Sequence, residues 1–137
     1  MKLIISGSKS FNDYSLLSAN VIRILKENDG VNGREKFDFN SLEIITGGSL
    51  GTDKLGETFA KNNNIQNKIF TAQWNIFGSA AALSRNTDMI NYVANSDDDS
   101  ILIAFWDNQD RTTEHIIQTA KEYSIPVYVI NTVTSEE

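Results

Sequence analysis

The stretch Leu42-Glu43-Ile44-Ile45-Thr46-Gly47-Gly48-Ser49-Leu50-Gly51-Thr52-Asp53 decides the fold. A short apolar, β-branched run ends in a glycine-rich turn, and Leu55, Phe59 and Ala60 then follow at helical spacing. Strand, glycine turn, helix is one half of a βαβ unit. The same alternation of short apolar runs with longer helical-period segments recurs along the chain, which argues for a parallel sheet.

Working outward, we expect five strands, over 2–6, 42–46, 66–71, 100–105 and 126–130. Three are near-continuous apolar runs, as strands covered on both faces require; the third carries Asn67 and Lys68 and is expected at an edge. Leu17, Val21, Ile24 and Leu25 mark a first helix, and Leu55, Phe59 and Ala60 after the glycine-rich stretch a second. A third helix is expected over 78–94, and a fourth over 111–123, where Thr113, Ile116, Ile117 and Ala120 share a face and Pro126 enforces the stop. The polar segment 26–41 reads as a solvated connection and 132–137 as a solvated tail, leaving 1–131 as one α/β domain with helices on both faces of an open parallel sheet.

Composition narrows the function. With 18 acidic against 12 basic residues the formal net charge is −6, and no Lys/Arg stripe exists to meet a nucleic-acid backbone. There is no cysteine, which removes thiol chemistry and fits a reducing cytoplasm. No apolar run approaches the roughly eighteen residues of a membrane span, so a soluble protein without membrane contact is expected. No cofactor and no metal are expected; self-association into a homo-oligomer is compatible with the sequence.

Ligands of open parallel sheets bind beyond the strands' carboxyl ends, where turns present backbone N–H groups. The unusual residues fall there: Gly7, Ser8 and Lys9 after the first strand, Gly47 to Asp53 after the second, and Asp107 to Glu114 after the fourth. Gly47, Gly48 and Gly51 free the second turn of Cβ atoms, so its amides can approach an anion such as phosphate; a tight turn capped by Ser49 or Thr52 is the plainer alternative. Arg85 shares a helix face with Met89 and Val93 and suits phosphate or carboxylate, or a structural ion pair. Asn86 beside it binds ligand or satisfies a turn. Asp107 binds a ribose hydroxyl or makes an Asx turn. Thr112, Thr113 and Glu114 are explained by capping, His115 as a surface or satisfied histidine, and Asp97-Asp98-Asp99 as a solvated loop. Trp74 and Trp106 are expected in the core or as cleft walls; a stacking platform, with one of them beside the site covering a base, is the alternative.

Together these turns resemble the SLOG superfamily, whose members include Smf/DprA and LOG proteins, and most closely its YspA-like branch, the DUF2493 family. The resemblance spans nearly the whole chain. Its pieces are Gly7-Ser8-Lys9 with Phe11 and Asp13; Gly47 through Asp53; Ala72-Gln73-Trp74 with Gly78, Ala80, Ala81 and Arg85-Asn86; and Ala104-Phe105-Trp106-Asp107 with Thr113. It implies a Rossmann-like fold and a nucleotide-related ligand, bound by Gly7, Ser8, Lys9, Gly47, Gly48, Ser49, Gly51, Thr52, Asp53, Arg85, Asn86, Trp106, Asp107 and Thr113. LOG relatives hydrolyse the N-glycosidic bond of nucleoside monophosphates with an arginine and the glutamate of a Pro-Gly-Gly-x-Gly-Thr-x-x-Glu segment. The stretch from Asp107 to Glu114 lacks those glycines and shifts the glutamate, Lys9 stands where arginine is usual, and Ala82 and Thr112 replace usual glycines. Three functions are therefore expected in descending order: a nucleotide binder or sensor, an N-glycosidase using Glu114 or Asp107, and a DNA-processing accessory protein.

Overall fold

A computed structural model describes residues 1–28 and 41–132. Of the connection expected over 26–41, residues 29–40 lie outside the described residues and Lys26 and Glu27 belong to the first helix; of the tail expected over 132–137, residues 133–137 lie outside them. Strands β1 (Lys2–Gly7), β2 (Glu43–Thr46), β3 (Gln66–Ile69), β4 (Ser100–Trp106) and β5 (Val127–Asn131) form one sheet in the order β3-β2-β1-β4-β5. All four pairings are parallel. Helices α1 (Tyr14–Glu27) and α2 (Thr52–Asn62) connect the strands on one side of β1, and α4 (Ala81–Ala94) and α5 (Arg111–Glu122) serve the other. The short α3 (Trp74–Phe77) precedes α4. The fold is a single Rossmann-like open sheet.

The two-residue period of the strands divides the core. Leu3, Ile5, Ile44, Ile101, Ile103 and Phe105 pack with Leu17, Val21, Ile24 and Phe59 on one face. Ile4, Ile45, Leu102 and Ala104 pack with Met89, Ile90, Val93, Ile116, Ile117 and Ala120 on the other. The polar β3 is indeed an edge, with Gln66, Lys68 and Ile69 exposed. Gly56 lets α2 settle on the sheet, since a Cβ there would come within 3.0 Å of the Ile5 side chain.

Boundaries differ from expectation for identifiable reasons. β3 stops at Ile69 because β2 turns away after Thr46, which accepts one last bond from Phe70. β5 starts after Pro126, which has no N–H but whose carbonyl accepts from Leu102 at 2.9 Å. Where one helix was expected over 78–94, three pieces run over 74–94: α3, which lies ahead of the expected start, a 3₁₀ turn Gly78–Ala80, and α4. Gly78, at φ +55°, separates the first piece from the others. Thr132 is tied to β4 through its N–H to the Trp106 carbonyl, so the chain is still attached where a free tail was expected.

Candidate small-molecule site

At the carboxyl ends of β1, β2 and β4 the turns are knotted through Ser8. Its N–H donates to the Phe105 carbonyl, its own carbonyl accepts from Thr52 N–H and Thr52 Oγ1, and its Oγ accepts from Asp107 N–H at 3.1 Å. Close approach of these turns explains two glycines. A Cβ on Gly7 would collide with the Phe105 carbonyl, and one on Gly51 with the carbonyls of Ser8 and Lys9.

The glycine turn after β2 lies over Arg85. The guanidinium, 5% exposed, donates from Nη1 to the Gly47 carbonyl at 3.1 Å and to Ser49 Oγ at 2.8 Å, and from Nη2 to Asn86 Oδ1 at 3.3 Å. Its Nε has no acceptor among the described residues. A Cβ on Gly47 would sit 2.8 Å from that Nε, so only glycine leaves the arginine room. Asp53, 2% exposed, accepts from Ser49 N–H through Oδ2 while its Oδ1 is unpartnered among the described residues. Burial pushes Asp53 up to about 6, against the pull of the Arg85 charge and the Ser49 amide. Burial likewise lowers Arg85.

Above this layer is a cavity of about 280 Å³ lined by Lys9, Gly47, Gly48, Ser49, Leu50, Thr71, Ala72, Trp74 and Arg85. The N–H groups of Gly48 and Leu50 in that lining donate to no acceptor among the described residues. A smaller cavity of about 150 Å³ shares Thr71 and Arg85 and adds Phe77, Ser84 and Asp88. Unpaired amides beside a buried cation and an exposed lysine form a donor set matched to an oxyanion.

The chain matches no family model and no curated protein. Among solved structures it is similar to a predicted subunit of tRNA methyltransferase from Methanocaldococcus jannaschii, with 19% identity and a TM-score of 0.39, over 100% of this chain and 70% of that one. A likeness so loose carries no argument about what this chain binds.

The residues expected to form one site divide into three groups. Lys9, Gly47, Gly48, Ser49 and Arg85 come together around the 280 Å³ cavity. Gly7, Ser8, Gly51, Thr52, Asp53, Asn86 and Thr113 lie behind it as supports. Asn86, fully buried, donates to the Thr112 carbonyl at 2.9 Å and lies 3.3 Å from His115 Nδ1, so it satisfies the neighbouring turn. Neither Ser49 nor Thr52 caps α2 with its side chain. The third group is elsewhere. Asp107 lines a separate cavity of about 440 Å³ with Ser10, Phe11, Asp13 and Thr132. Its Oδ1 accepts from the Gln109 and Asp110 amides, both at 2.8 Å, in an Asx turn whose donors hold the carboxyl below its usual range. Trp106 is half-buried, with its indole N–H on the Asp110 carbonyl. Glu114 is exposed on α5.

One feature escaped the sequence reading. The cap of α5 is Asp110, whose Oδ1 accepts from the Thr112 and Thr113 amides, and not the threonines themselves. Trp74, expected in the core or a cleft wall, is a wall 54% exposed. It stands five residues after β3 ends at Ile69.

Proposed function

We propose that this protein binds or senses a nucleotide or nucleotide-derived small molecule, with a phosphate in the cavity between Lys9 and Arg85. The observation that carries the reading is the buried arginine, its Nε without an acceptor, beneath a turn whose Gly48 and Leu50 amides are also unpaired. A buried donor left unsatisfied costs stability, as Arg85 Nε does, and an anionic ligand would give the more exposed Gly48 and Leu50 amides an acceptor beside that buried charge. The resemblance of these turns to SLOG proteins agrees with this, and the lack of cysteine fits work in a reducing cytoplasm.

Thermal melts with adenosine 5′-monophosphate and ADP-ribose test it, because a ligand specific to the native state raises the melting temperature. Both compounds should stabilise the wild type, and Gly48→Leu should abolish the shift. That position has φ +74° and only 3.2 Å between a new Cβ and the Ile69 side chain. Full stabilisation of a folded Gly48→Leu protein would remove the phosphate from this turn.

The N-glycosidase alternative needs a carboxylate beside the sugar's anomeric carbon. None lines the 280 Å³ cavity, Glu114 is exposed, and the Asp107 carboxyl is engaged in its own turn. Binding without turnover is therefore the preferred reading.

A further inference from the structure

Helix α3 is an anomaly of burial. None of its four residues is buried, yet three are large and apolar: Trp74 is 54% exposed, Ile76 66% and Phe77 48%. The turn belongs to neither core cluster, so its ordering entropy is offset only by the partial cover of Trp74 and Phe77. Of the three, only Trp74 lines the cavity that holds the glycine turn and Arg85, where Leu50, 71% exposed, supplies a second apolar wall. The lining thus combines polar and cationic groups with two large apolar side chains, one of them an indole.

Resting on the phosphate reading above, we infer that Trp74 is the platform on which the ligand's base stacks. The occupant is then a mononucleotide, with its phosphate at Gly48, Leu50 and Arg85 and its base on the indole. Size supports one nucleotide moiety inside: a cavity of about 280 Å³ is just below the roughly 300–1,000 Å³ of small-molecule sites, so the second ribose of ADP-ribose would lie outside it. Chemistry supports a base over an aliphatic group, because an indole offers a flat π face to a flat partner, and such stacking is insensitive to which base is present. This puts the base beside β3, on the far side of β1 from Trp106 and Asp107. Trp74 becomes the residue that distinguishes a nucleotide from a bare sugar phosphate.

The test compares adenosine 5′-monophosphate with ribose 5-phosphate by calorimetric titration of the wild type, Trp74→Ala, Trp74→Phe and Phe77→Ala. The wild type should prefer the nucleotide by about fivefold to a hundredfold, the usual range for one base–aromatic stack. Trp74→Ala should lose that preference while binding ribose 5-phosphate unchanged; Trp74→Phe should keep most of it. Phe77→Ala should keep all of it, because Phe77 lines the adjoining cavity instead. Equal binding of both compounds by the wild type, or an intact preference in Trp74→Ala, overturns the platform while leaving the phosphate site standing. Binding of neither compound sinks the phosphate reading and this inference with it. Sedimentation of the same variants covers the competing occupant: if Trp74→Ala turns a dimer into a monomer without altering nucleotide affinity, α3 is a contact between two copies and the inference is wrong.

Discussion

Arg85 is held by what surrounds it more than by any counter-ion. Its acceptors are a carbonyl, a hydroxyl and an amide oxygen, while Asp53 acts on it only through its field. A buried charge so arranged depends on room as much as on bonds. Gly47→Ala should cost about 1–3 kcal/mol, the usual range for overpacking, because the new methyl would press on the guanidinium at 2.8 Å. Urea unfolding would measure it, and a neutral Gly47→Ala would show that the arginine can withdraw. Asp53 gives a pH signature. Burial raises its folded pKa from 3.8 to about 6, so between those values the folded state keeps a proton that the unfolded chain releases. Stability from this group is fully present below pH 3.8, falls as pH rises to about 6 and is level beyond. At about 1.4 kcal/mol per pH unit the span is worth roughly 3 kcal/mol. Asp53→Asn cannot exchange that proton, so its stability relative to the wild type should climb from about pH 4 to about pH 6 and then flatten. A difference independent of pH would place the titration elsewhere.

Among the elements, α5 shows how a turn and a helix share one residue. Asp110 closes the Asx turn of Asp107 through its amide, accepts the Trp106 indole through its carbonyl and caps the helix with its carboxylate. Asp110→Ala removes only the last of these and should cost about 1 kcal/mol in chemical denaturation. A loss too small to measure would mean that water replaces the cap at no cost. This residue also marks the limit of what the sequence disclosed. Long periodic elements were legible, because the stripe Leu17, Val21, Ile24, Leu25 and the run 101–105 each repeat one signal several times. A cap is a single side chain, and with Asp110, Thr112 and Thr113 in one run, composition gives no preference among them. Helix α3 was missed because four residues are too few to display a helical period. In the candidate site, the glycines and Arg85 were legible from residue type. The inward turn of Ser8, Thr52, Asn86 and Thr113 was not, since a polar residue in a turn faces ligand or protein with equal ease. The separation of Asp107 from Arg85 follows from β1 standing between β2 and β4, a strand order that the sequence reading had not fixed.

At the scale of the whole molecule, the proposed oxyanion site sits within an acidic chain. The formal net charge is −6, so a phosphate bound there would be drawn in by a few fixed donors at short range against a field that opposes it from afar. Among the described residues no helix is long and apolar enough to cross a membrane. Several cations are already committed within the protein: Lys2 pairs with Glu43 and Asp98, Arg23 with Glu27, Lys54 with Glu57, and Arg85 is buried. A small anion needs only the cavity, whereas a polyanion must lay many phosphates along a surface and release counterions from each. The chain should therefore bind neither duplex nor single-stranded DNA appreciably at physiological salt, even where it binds a nucleoside monophosphate. Gel-shift and anisotropy titrations at several salt concentrations decide the matter. Affinity for DNA that falls steeply with salt would require a cationic surface, for which the sequence offers no Lys/Arg stripe. It would also transfer the preferred reading to the DNA-processing alternative, with the glycine-turn cavity then taking one phosphate of a backbone in place of a free nucleotide.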